Sequence, residues 1–301
     1  MSIQDTVGVA ILTWNSEACI VSCLDSLQGQ PISEIVVVDN ASTDHTIELV
    51  QSHPLPIKLI RENTNTGFAA ASNRALEALN TTFKLCLNDD ARLAPDYLAI
   101  LVDALNANPD AASAIGKLVH EFGAQRTIDS AGIEMVFRTL SPLDRGYREL
   151  DRAQFDQDED IFGPSAAAAL YRSEALSMLS DPPFDVELFA YYEDVDLAWR
   201  LTNQGWRHLY RPQAIAYHDR RGPDSKPGHI KARAFANRYV VWAKNQPISQ
   251  FLLYSPVALP WEFARLLRRL IRDPASLEAV PRGLGKALKI ALRRVFNTRL
   301  S

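Results

Sequence analysis

Cysteine is scarce in this chain of 301 residues: there are three, and their spacing is not that of a metal site. Cys19, Cys23 and Cys86 fall within periodic apolar segments, so we expect reduced thiols in the core of a cytosolic protein. The start, MSIQDTVGVAILTWN, lacks a basic segment followed by a long apolar run, and we therefore expect no signal peptide. The most apolar late stretch, FLLYSPVALPW, is too short to cross a bilayer and contains two prolines, so we expect no transmembrane helix.

An internal repeat, a low-complexity segment and a G-x-G-x-x-G fingerprint are also missing, and the last absence argues against a dinucleotide-dependent oxidoreductase. What is present is typical of a soluble globular protein, with 47% hydrophobic and 23% charged residues. The net charge of −4 hides an asymmetry. From Asn245 onward ten Lys or Arg residues stand against three acidic ones, whereas the remainder has 22 basic and 33 acidic residues. The chain therefore combines an acidic body with a basic tail.

Up to about Ile115, apolar runs that end in polar residues alternate with helical patterns. The predicted strands are VGVAILTWN, SEIVVVDNAST, IKLIREN and FKLCLNDD. The predicted helices are Glu17 to Leu27, DHTIELVQSH, FAAASNRALEAL and PDYLAILVDALNANPD. This alternation predicts an α/β fold with a doubly wound, mostly parallel sheet of Rossmann-like type, in which ligands bind beyond the carboxyl ends of the strands. After Ile115 the pattern becomes irregular, and we expect a few antiparallel strands and loops.

Two polar motifs follow predicted strands and are candidates for ligand contacts. VVVDNASTD places Asp39 where its carboxylate could accept a hydrogen bond from the ring N–H of uracil or thymine. The alternative is an Asx turn that caps the next helix. NTNTGFAAASN contains Asn65, Gly67 and Asn73, and its glycine allows the backbone to approach a ligand closely. A plain helix start with alanines packed on the sheet is the alternative for this second motif.

Acidic residues at the end of the fourth predicted strand suggest a divalent metal ion. LCLNDDARL ends in Asn88, Asp89 and Asp90, and neighbouring carboxylates repel each other unless a cation lies among them. Hard oxygen ligands suit Mg²⁺ or Mn²⁺ bridging a diphosphate, although an exposed turn would have the same composition. His218, in AIAYHDRRG, could add a nitrogen ligand, although a lone histidine is more often structural.

The stretch YYEDVDLAWRL combines aromatic residues with three carboxylates. It predicts a helix that begins near Glu193, with Glu193 and Asp194 favoured by the helix dipole in its first turn. Asp196 could form an i,i+4 surface ion pair with Arg200. The alternative to this structural interpretation is that the preceding apolar residues hold one carboxylate partly desolvated, as a general base requires.

These motifs, in this order, resemble the inverting glycosyltransferases of family 2, which have the GT-A fold, and in particular the rhamnosyltransferase-like branch. The resemblance extends roughly from Val7 to Asn245. It rests on TWN, VVVDNASTD, NTNTGFAAASN, LNDDARL, DSAG, DRG, FGPSAAAALYR, FAYYEDVDLAWRLTNQGWR and YHDRRG. It implies a metal-dependent enzyme that moves a sugar, rhamnose from dTDP-rhamnose, onto a glycan or polyprenyl-diphosphate-linked acceptor in bacterial surface polysaccharide synthesis. A UDP-hexose transferase and a non-catalytic nucleotide- or glycan-binding module are the alternatives.

The resemblance also implies roles for individual residues. Donor contacts would come from Thr13, Asn15 and Asp39 at the nucleoside, from Asn65, Gly67 and Asn73 near the base and ribose, and from Asn88 and Asp89. Asp90 matches the last position of the family's D-x-D motif for Mg²⁺ or Mn²⁺, and His218 matches a second metal contact. The first position of that motif is Asn88 here, a weaker neutral ligand, which leaves open whether Asp89 substitutes.

On the acceptor side, the resemblance makes Asp194 the catalytic base. Glu193, Asp196 and Arg200 would support it, and the small residues Ser165 to Ala169, beginning with Ser165 and Ala166, would line the acceptor pocket. We divide the chain into residues 1–245, a glycosyltransferase domain, and residues 246–301, a basic tail. Within the domain, residues 1–115 would bind the nucleotide sugar, and residues 116–245 would bind the acceptor and hold the catalytic base.

The tail predicts two basic amphipathic helices, WEFARLLRRLIRDP and GLGKALKIALRRVFNTRL, with Pro274 and Pro281 bracketing the break. Basic amphipathic helices with a tryptophan suit the headgroup layer of an anionic membrane. We therefore expect a cytoplasmic protein held peripherally on the inner face of the cell membrane, close to a lipid-linked acceptor. Packing on the acidic domain and a homodimer contact are the alternatives; we expect no nucleic-acid partner, because nothing else in the chain supports one.

Overall fold

The computed structural model describes residues 6–122, 125–136, 139, 141–220, 228–272 and 276–297. Strands and helices alternate up to Ala107, as the sequence predicts. In chain order these elements are β1 (Val7–Thr13), α1 (Ile20–Asp25), β2 (Glu34–Asp39), α2 (Thr46–Ser52), β3 (Ile57–Arg61), α3 (Phe68–Glu77), β4 (Phe83–Asn88), β5 (Ala91–Leu93) and α4 (Tyr97–Ala107).

The later part of the chain contributes further strands and then helices. In chain order these are β6 (Ala111–Phe122), β7 (Gln125–Ser130), β8 (Ile133–Val136), β9 (Ser141–Asp144), β10 (Glu159–Ile161), β11 (Ala168–Arg172), α5 (Ser173–Ser177), a 3₁₀ helix (Val186–Leu188), α6 (Glu193–Asn203), β12 (Arg207–His218), α7 (Gly228–Asn245), α8 (Ile248–Arg272) and α9 (Ser276–Asn297). The predicted boundary at 115/116 falls inside β6, and the one at 245/246 falls at the end of α7. Both boundaries stay predictions.

One sheet of ten strands has the central order β10-β12-β6-β11-β4-β1-β2-β3, with β7 beside β6 and β5 beside β12. β4, β1, β2 and β3 run parallel, so their carboxyl ends lie at one edge. β12 is parallel to β6, whereas β11 is antiparallel to both β6 and β4. The predicted mostly parallel sheet is confirmed, and the expected antiparallel strands occur in its later part.

Both faces of the sheet are apolar, because successive side chains along each buried strand belong to two different cores. In β1, Val9 and Ile11 belong to the core covered by α1, α2 and α4, whereas Ala10 belongs to the core covered by α3, α5 and α6. Successive side chains of a strand point to opposite faces, so a continuous run such as VGVAIL fills both cores. Cys23 and Cys86 are buried and Cys19 is half-buried, and all three are free thiols.

A third core lies between α6 and a layer formed by α7, α8 and α9. Val195 and Trp199 of α6 pack there with Tyr239 to Trp242 of α7 and with Ala258, Val280 and Ala287 of α8 and α9. Ile133, Met135 and Leu188 belong to the same cluster. Gly283 lets α9 approach α7 closely, because a Cβ at this position would lie 2.6 Å from the Cβ of Ala236. The tail therefore packs on α7, a helix to which the sequence analysis gave no assignment, and it also contacts Ser141 through Arg265 and Glu187 through Lys286.

The helical tail was predicted, but its boundaries differ from the prediction. α8 begins at Ile248 rather than near Trp261, and it continues through Pro256 and Pro260. Pro281 lies inside α9 rather than at a break, and Pro274 lies outside the described residues. Each proline removes one helical hydrogen bond, and packing of both helices on α7 offsets that loss. Among the described residues, no helix combines the length and apolar character needed to cross a bilayer.

Candidate functional site

The carboxyl ends of β1 and β2 hold two buried polar groups side by side. Thr13 and Asp39 are paired across the two strands and are almost fully buried. Asp39 Oδ2 accepts a hydrogen bond from the Ser42 N–H at 3.0 Å. Among the described residues, neither Asp39 Oδ1 nor Thr13 Oγ1 has a hydrogen-bond partner. One oxygen of Asp39 thus forms the Asx turn, while the other is available to a ligand donor.

Asn15 and Asn65 both fix the loops of this edge. Asn15 has a positive φ of 51°, and its Oδ1 accepts the Thr43 N–H at 2.8 Å. Asn65 Oδ1 accepts hydrogen bonds from Asn40 Nδ2 at 3.1 Å and from the Gly67 N–H at 3.0 Å. Buried Asn40, which the sequence analysis did not single out, therefore joins the β2 end to the loop before α3.

Gly67, in the loop before α3, lies against the loop that precedes α6. Its φ is +86°, and a Cβ here would lie 2.4 Å from the ring of Phe189 and 2.6 Å from the Phe189 carbonyl oxygen. The Ala69 N–H donates to that same carbonyl at 3.0 Å. Only glycine suits this position, because both the left-handed backbone and the close approach exclude a side chain.

Asn73 does not join this group of residues. Its Nδ2 donates to the Phe184 carbonyl at 2.7 Å, and its Oδ1 accepts the Phe184 N–H at 2.9 Å. The Asn73 amide is thus occupied by the backbone of a distant segment, and its expected place near a base and ribose stays a prediction. The sequence pattern could not reveal this, because the partner lies 111 residues away.

At the end of β4, Asp89 makes different contacts from Asn88 and Asp90. Asp89 Oδ2 accepts hydrogen bonds from the Ser16 hydroxyl and, at 3.4 Å, from the Trp14 N–H, so it ties β4 to the β1 end. Asp90 Oδ1 lies 3.2 Å from His218 Nε2, and the Asn88 side-chain amide lies 3.3 Å from the same nitrogen. The predicted neighbours Asp90 and His218 are therefore brought together.

A charged network, which the sequence analysis missed, continues from His218. His218 Nδ1 lies 2.8 Å from Asp129 Oδ2, and Arg220 Nε forms an ion pair with Asp129 Oδ1 at 2.6 Å. Arg220 also donates to Asp144 Oδ2 at 2.9 Å. The only sequence signals for Asp129 and Asp144 were the short motifs DSAG and DRG, whose roles depend on contacts with β12.

The network explains the protonation of its members. Burial lowers the pKa of His218, but hydrogen bonds to Asp129 and Asp90 outweigh this effect and raise the pKa to about 9. Burial raises the pKa of Asp129, but His218 and Arg220 hold it below its ordinary value. In the metal-free chain His218 is therefore a cation between two carboxylates, with Nδ1–H donating to Asp129.

The residues around His218 fit a divalent ion that other ligands help to hold. Among the described residues, no cluster of three His, Cys, Asp or Glu side chains could bind a metal ion by itself. Asp90, His218 and the Asn88 amide present oxygen and nitrogen donors, which suit Mg²⁺ or Mn²⁺. A site with few protein ligands leaves coordination positions for water and for diphosphate oxygens.

Asp194 lies in the first turn of α6 and is half-buried. Its Oδ1 accepts the Val195 N–H at 2.8 Å, and its Oδ2 accepts the Ala166 N–H at 3.4 Å. Burial and the nearby charge of Asp144 raise the pKa of Asp194 to about 6, although the two N–H groups and Arg220 oppose the shift. A carboxylate with this pKa can accept a proton near neutral pH. Glu193, the first residue of α6, is buried beside it.

The other carboxylate of this helix, Asp196, points away from Asp194. It is fully buried, and it forms an ion pair with Arg200 at 2.8 Å. It also binds Lys244 Nζ at 3.1 Å and accepts a hydrogen bond from Asn245 Nδ2 at 2.8 Å. The predicted i,i+4 pair is confirmed, but its expected surface position is wrong, because α7 covers it.

The small-residue run divides into two parts. Ser165 and Ala166 precede β11 near Asp194, as the Ala166 hydrogen bond requires. Ala167, Ala168 and Ala169 are buried in the two sheet cores. Ala166 is buried in the same way, so burial does not separate these residues, and the expected place of the run on the acceptor side stays a prediction.

Comparisons with known proteins identify relatives of this chain. The sequence model of a family described as glycosyl transferase family 2 matches residues 8–179. The chain is 27% identical over 240 residues to an N-acetylglucosaminyl-diphospho-decaprenol L-rhamnosyltransferase of Mycobacterium tuberculosis (strain CDC 1551 / Oshkosh), covering 71% of this chain and 76% of the relative.

Solved structures show the same fold. The chain is similar to the mannosyltransferase PcManGT from Pyrobaculum calidifontis in complex with GDP-Man and Mn²⁺, with a TM-score of 0.59, 20% identity and coverage of 99% of this chain and 88% of that one. It is also similar to GalNAc-T7 with UDP, GalNAc and Mn²⁺, with a TM-score of 0.62, 15% identity and coverage of 79% and 48%. These likenesses confirm the predicted GT-A fold.

The His218 network predicts a measurable effect of Asp129. In the metal-free chain, replacing Asp129 with Asn should lower the pKa of His218 by roughly 1 to 3 pH units, because one neighbouring negative charge is lost. A raised folded-state pKa stabilises the fold fully below the ordinary value of 6.5, and this contribution disappears as pH rises through about 9. In the variant it should disappear at lower pH. Histidine NMR titration measures the pKa, and thermal unfolding against pH measures the stability.

The exposed neighbour Asp219 provides the control for this prediction. It pairs with Arg92 and His120 rather than with His218. Asp219→Asn should therefore leave the His218 titration close to that of the unchanged chain. An unchanged His218 pKa in Asp129→Asn would show that Asp129 does not set its protonation.

Proposed function

The chain belongs to glycosyl transferase family 2 and is a transferase, and from its site we propose that it moves a sugar from a nucleoside diphosphate to an acceptor hydroxyl with inversion. The observation that supports this proposal most strongly is Asp194, a carboxylate with a raised pKa at the start of α6. The Ala166 N–H holds one of its oxygens. Asp194 would face the acceptor, while Thr13 and Asp39 would face the nucleoside.

In the proposed reaction Asp194 is the base. It accepts the proton of the acceptor hydroxyl, and the hydroxyl oxygen forms a bond to the anomeric carbon as the bond from that carbon to the diphosphate breaks. The products are the glycosylated acceptor, with its anomeric centre inverted, and the nucleoside diphosphate. Glu193 lies beside Asp194, while Asp196 and Arg200 support it by fixing α6 to α7 and to the Pro182–Pro183 backbone.

Asp90 and His218, with the Asn88 amide, would hold Mg²⁺ or Mn²⁺. A bound divalent ion would neutralise negative charge on the departing diphosphate. Asp129 would orient His218 by accepting its Nδ1 proton, so that Nε2 faces the ion. Mn²⁺ is present in the two structural neighbours described above, which supports divalent metal use. Asp89 would act on the donor side, through the β1 end to which it is bonded.

For the donor we propose dTDP-rhamnose, with a UDP-hexose as the alternative. The free oxygen of Asp39 can accept the ring N–H of either thymine or uracil, so this contact does not distinguish the two bases. Asn15, Asn65 and Gly67 would shape the rest of the nucleotide pocket through the loops that they hold. The rhamnosyltransferase relative from Mycobacterium tuberculosis favours rhamnose as the sugar.

We further propose that the acceptor is a polyprenyl-diphosphate-linked glycan and that the enzyme acts at the inner face of the cytoplasmic membrane. The name of the same relative specifies a diphospho-decaprenol substrate. In this chain, α8 has an apolar outer face, by which we mean the exposed residues Leu252, Leu253, Val257, Leu259, Trp261, Phe263, Leu267 and Ile271. Such a continuous apolar surface is characteristic of an interaction site.

α8 packs on the protein through its opposite side, so its apolar outer face remains exposed. The residues that α8 buries against α7 include Ala258 and Glu262, and Glu262 pairs with buried Arg238. In contrast, Phe263 is 69% exposed and Ile271 is 74% exposed. The more apolar side of the helix thus faces outward. The alternative that these side chains pack on the acidic domain does not apply to the described part of α8.

α9 supports the same surface with both apolar and basic groups. It packs on α7 through small residues and exposes Leu284, Leu288 and Leu292. Lys289 and Arg293 are also exposed on this helix, as is Arg268 on α8. Cationic side chains beside an apolar face favour the headgroups of anionic lipids, and we therefore prefer a lipid surface to a homodimer as the partner of the tail.

Replacing Asp194 with Asn should reduce kcat by roughly 10²- to 10⁴-fold, because an amide cannot accept the acceptor proton. The Kd for the nucleoside diphosphate should stay unchanged, since Asp194 does not face the nucleoside. In the unchanged enzyme, kcat should rise with pH through about 6, as Asp194 loses its proton. Steady-state transfer assays and calorimetry measure these quantities. Asp181→Asn, a change of an exposed carboxylate outside the site, is the control, and full activity of Asp194→Asn would exclude Asp194 as the base.

The donor can be identified by thermal shift. With Mn²⁺ or Mg²⁺ present, dTDP-rhamnose should raise Tm more than UDP-glucose or UDP-galactose, since a ligand that binds only the folded state stabilises it in proportion to its affinity and concentration. Replacing Asp39 with Asn should weaken both dTDP and UDP. A larger shift with a UDP-hexose would instead favour the alternative donor.

Membrane binding should depend on the outer face of α8. The full chain should co-sediment with phosphatidylglycerol-containing vesicles at low salt and much less at high salt, because salt screens the basic residues. Replacing Phe263 and Leu267 together with Glu should weaken vesicle binding at least roughly tenfold, since two apolar side chains no longer insert.

Met178→Glu is the matched control, because Met178 is 59% exposed but lies outside the tail. This variant should bind vesicles like the unchanged chain. If the double variant also binds unchanged, the outer face of α8 is not the lipid contact. If the unchanged chain is instead a dimer in solution that the double variant abolishes, a second copy covers this face.

A further inference from the structure

The segment that leads into α6 has an unusual backbone. Phe189, Tyr191 and Tyr192 have φ angles of 64°, 71° and 71°, in the left-handed region. Bulky non-glycine residues rarely adopt this conformation, because their Cβ atoms crowd the backbone. Three such residues within four positions persist only if surrounding contacts hold them. Asp194 lies two residues after Tyr192, the last residue of this segment.

One set of contacts comes from the donor side. The Phe189 carbonyl accepts the Ala69 N–H at 3.0 Å, and the ring of Phe189 lies against Gly67. The Arg233 guanidinium of α7 also lies over this ring, with its central carbon 4.7 Å from the ring centroid. These contacts fix Phe189, but they do not bind the carbonyl groups that precede and follow it.

A single side chain of α7 binds those carbonyl groups. Asn237 Nδ2 lies 2.8 Å from the Leu188 oxygen, 3.0 Å from the Ala190 oxygen and 3.0 Å from the Tyr191 oxygen. An amide nitrogen carries two hydrogens, so the three acceptors share them. Asn237 is 5% exposed, and the carbonyl groups would otherwise lack this donor in a buried place.

We propose that Asn237 is a positioning residue for the catalytic base: by gathering three carbonyl groups of residues 188–191, it sets the left-handed turn at Tyr192 from which α6 starts and thereby places Asp194. This inference rests on the proposed function of Asp194. Tyr192 caps α6, and its conformation fixes the direction in which the helix begins. The hydrogen bond from the Ala166 N–H to Asp194 is long, at 3.4 Å, so a small rotation of this turn would break it.

Two residues at the end of α7 bind the body of α6 instead of the carbonyl groups of this turn. Lys244 and Asn245 bind Asp196, which points away from Asp194. Asn237 is thus distinguished from other α6–α7 contacts, because it acts on the segment that determines where the base lies. A purely structural role would lower the free energy of unfolding and leave kcat of the folded protein unchanged.

Two substitutions separate these roles. Asn237→Ser keeps one O–H donor on a shorter side chain, and Asn237→Asp keeps the shape but replaces the donor with an acceptor. We expect kcat to fall by about 10²-fold in Asn237→Asp, as is typical for misplacement of a catalytic group by about 1 Å, and less in Asn237→Ser. KM for the donor and the Kd for its nucleoside diphosphate should change little. If Asn237→Asp does not fold, Asn237→Ser alone provides the test.

Val280→Ala is the matched control. Val280 of α9 is buried in the third core and takes no part in the hydrogen bonds from Asn237 to the turn. It should lower Tm without lowering kcat of the folded protein. If the Asn237 variants behave in the same way as Val280→Ala, Asn237 is merely structural and the proposal is overturned.

Hydrogen exchange of backbone amides provides a readout that does not depend on activity. Amides of residues 189–195 should exchange faster in Asn237→Ser than in the unchanged chain, while those of β1 and β4 should not. Equal exchange would overturn the proposal, even if the unchanged chain transfers no sugar. In contrast, faster exchange in a chain that lacks transfer and donor hydrolysis with every donor would contradict the proposed function and retain the positioning role.

Discussion

The antiparallel pairing of β5 with β12 sets His218 opposite Ala91, and the candidate site depends on this register. Asp90 immediately precedes Ala91, so the same pairing brings Asp90 to His218. β12 also lies beside β6, which pairs with β7 as well, and β7 contains Asp129. A slip of one residue in β12 would turn His218 to the opposite face of the sheet. Three segments that are far apart in sequence thus form one charged cluster, because the register of the strand pairs determines which residues lie next to each other.

The first part of the fold could be predicted because its signals are local. Buried parallel strands are continuous apolar runs, and the helices between them have the 3.6-residue period. The helical layer at the end of the chain was less accessible. α8 continues through Pro256 and Pro260, against the usual preference of proline, because Ala258 and Glu262 pack on α7. Tertiary contacts of this kind override local propensity and have no signature in the segment itself.

The same distinction applies to the candidate site. Asp39, Asp90 and Asp194 could be selected because each follows a strand end or begins a helix, where ligand contacts and catalytic groups are common in such folds. The contacts of Asn73 could not be foreseen, and Asn237 was not selected at all, because their partners are backbone groups of distant segments. A side chain that binds backbone carbonyl or amide groups need not fall into a recognisable motif. Its importance appears only when the loop that it holds is seen in three dimensions.

Neighbouring residues of α7 serve both sides of this helix: Asn237 binds the turn before α6, and Arg238 pairs with Glu262 of α8. The helix that holds the turn before Asp194 is therefore also one on which the tail packs. This has a consequence for how such enzymes can exchange parts during evolution. A tail transplanted from a relative would need a matching α7 surface, and a new α7 would bring a new partner for the turn.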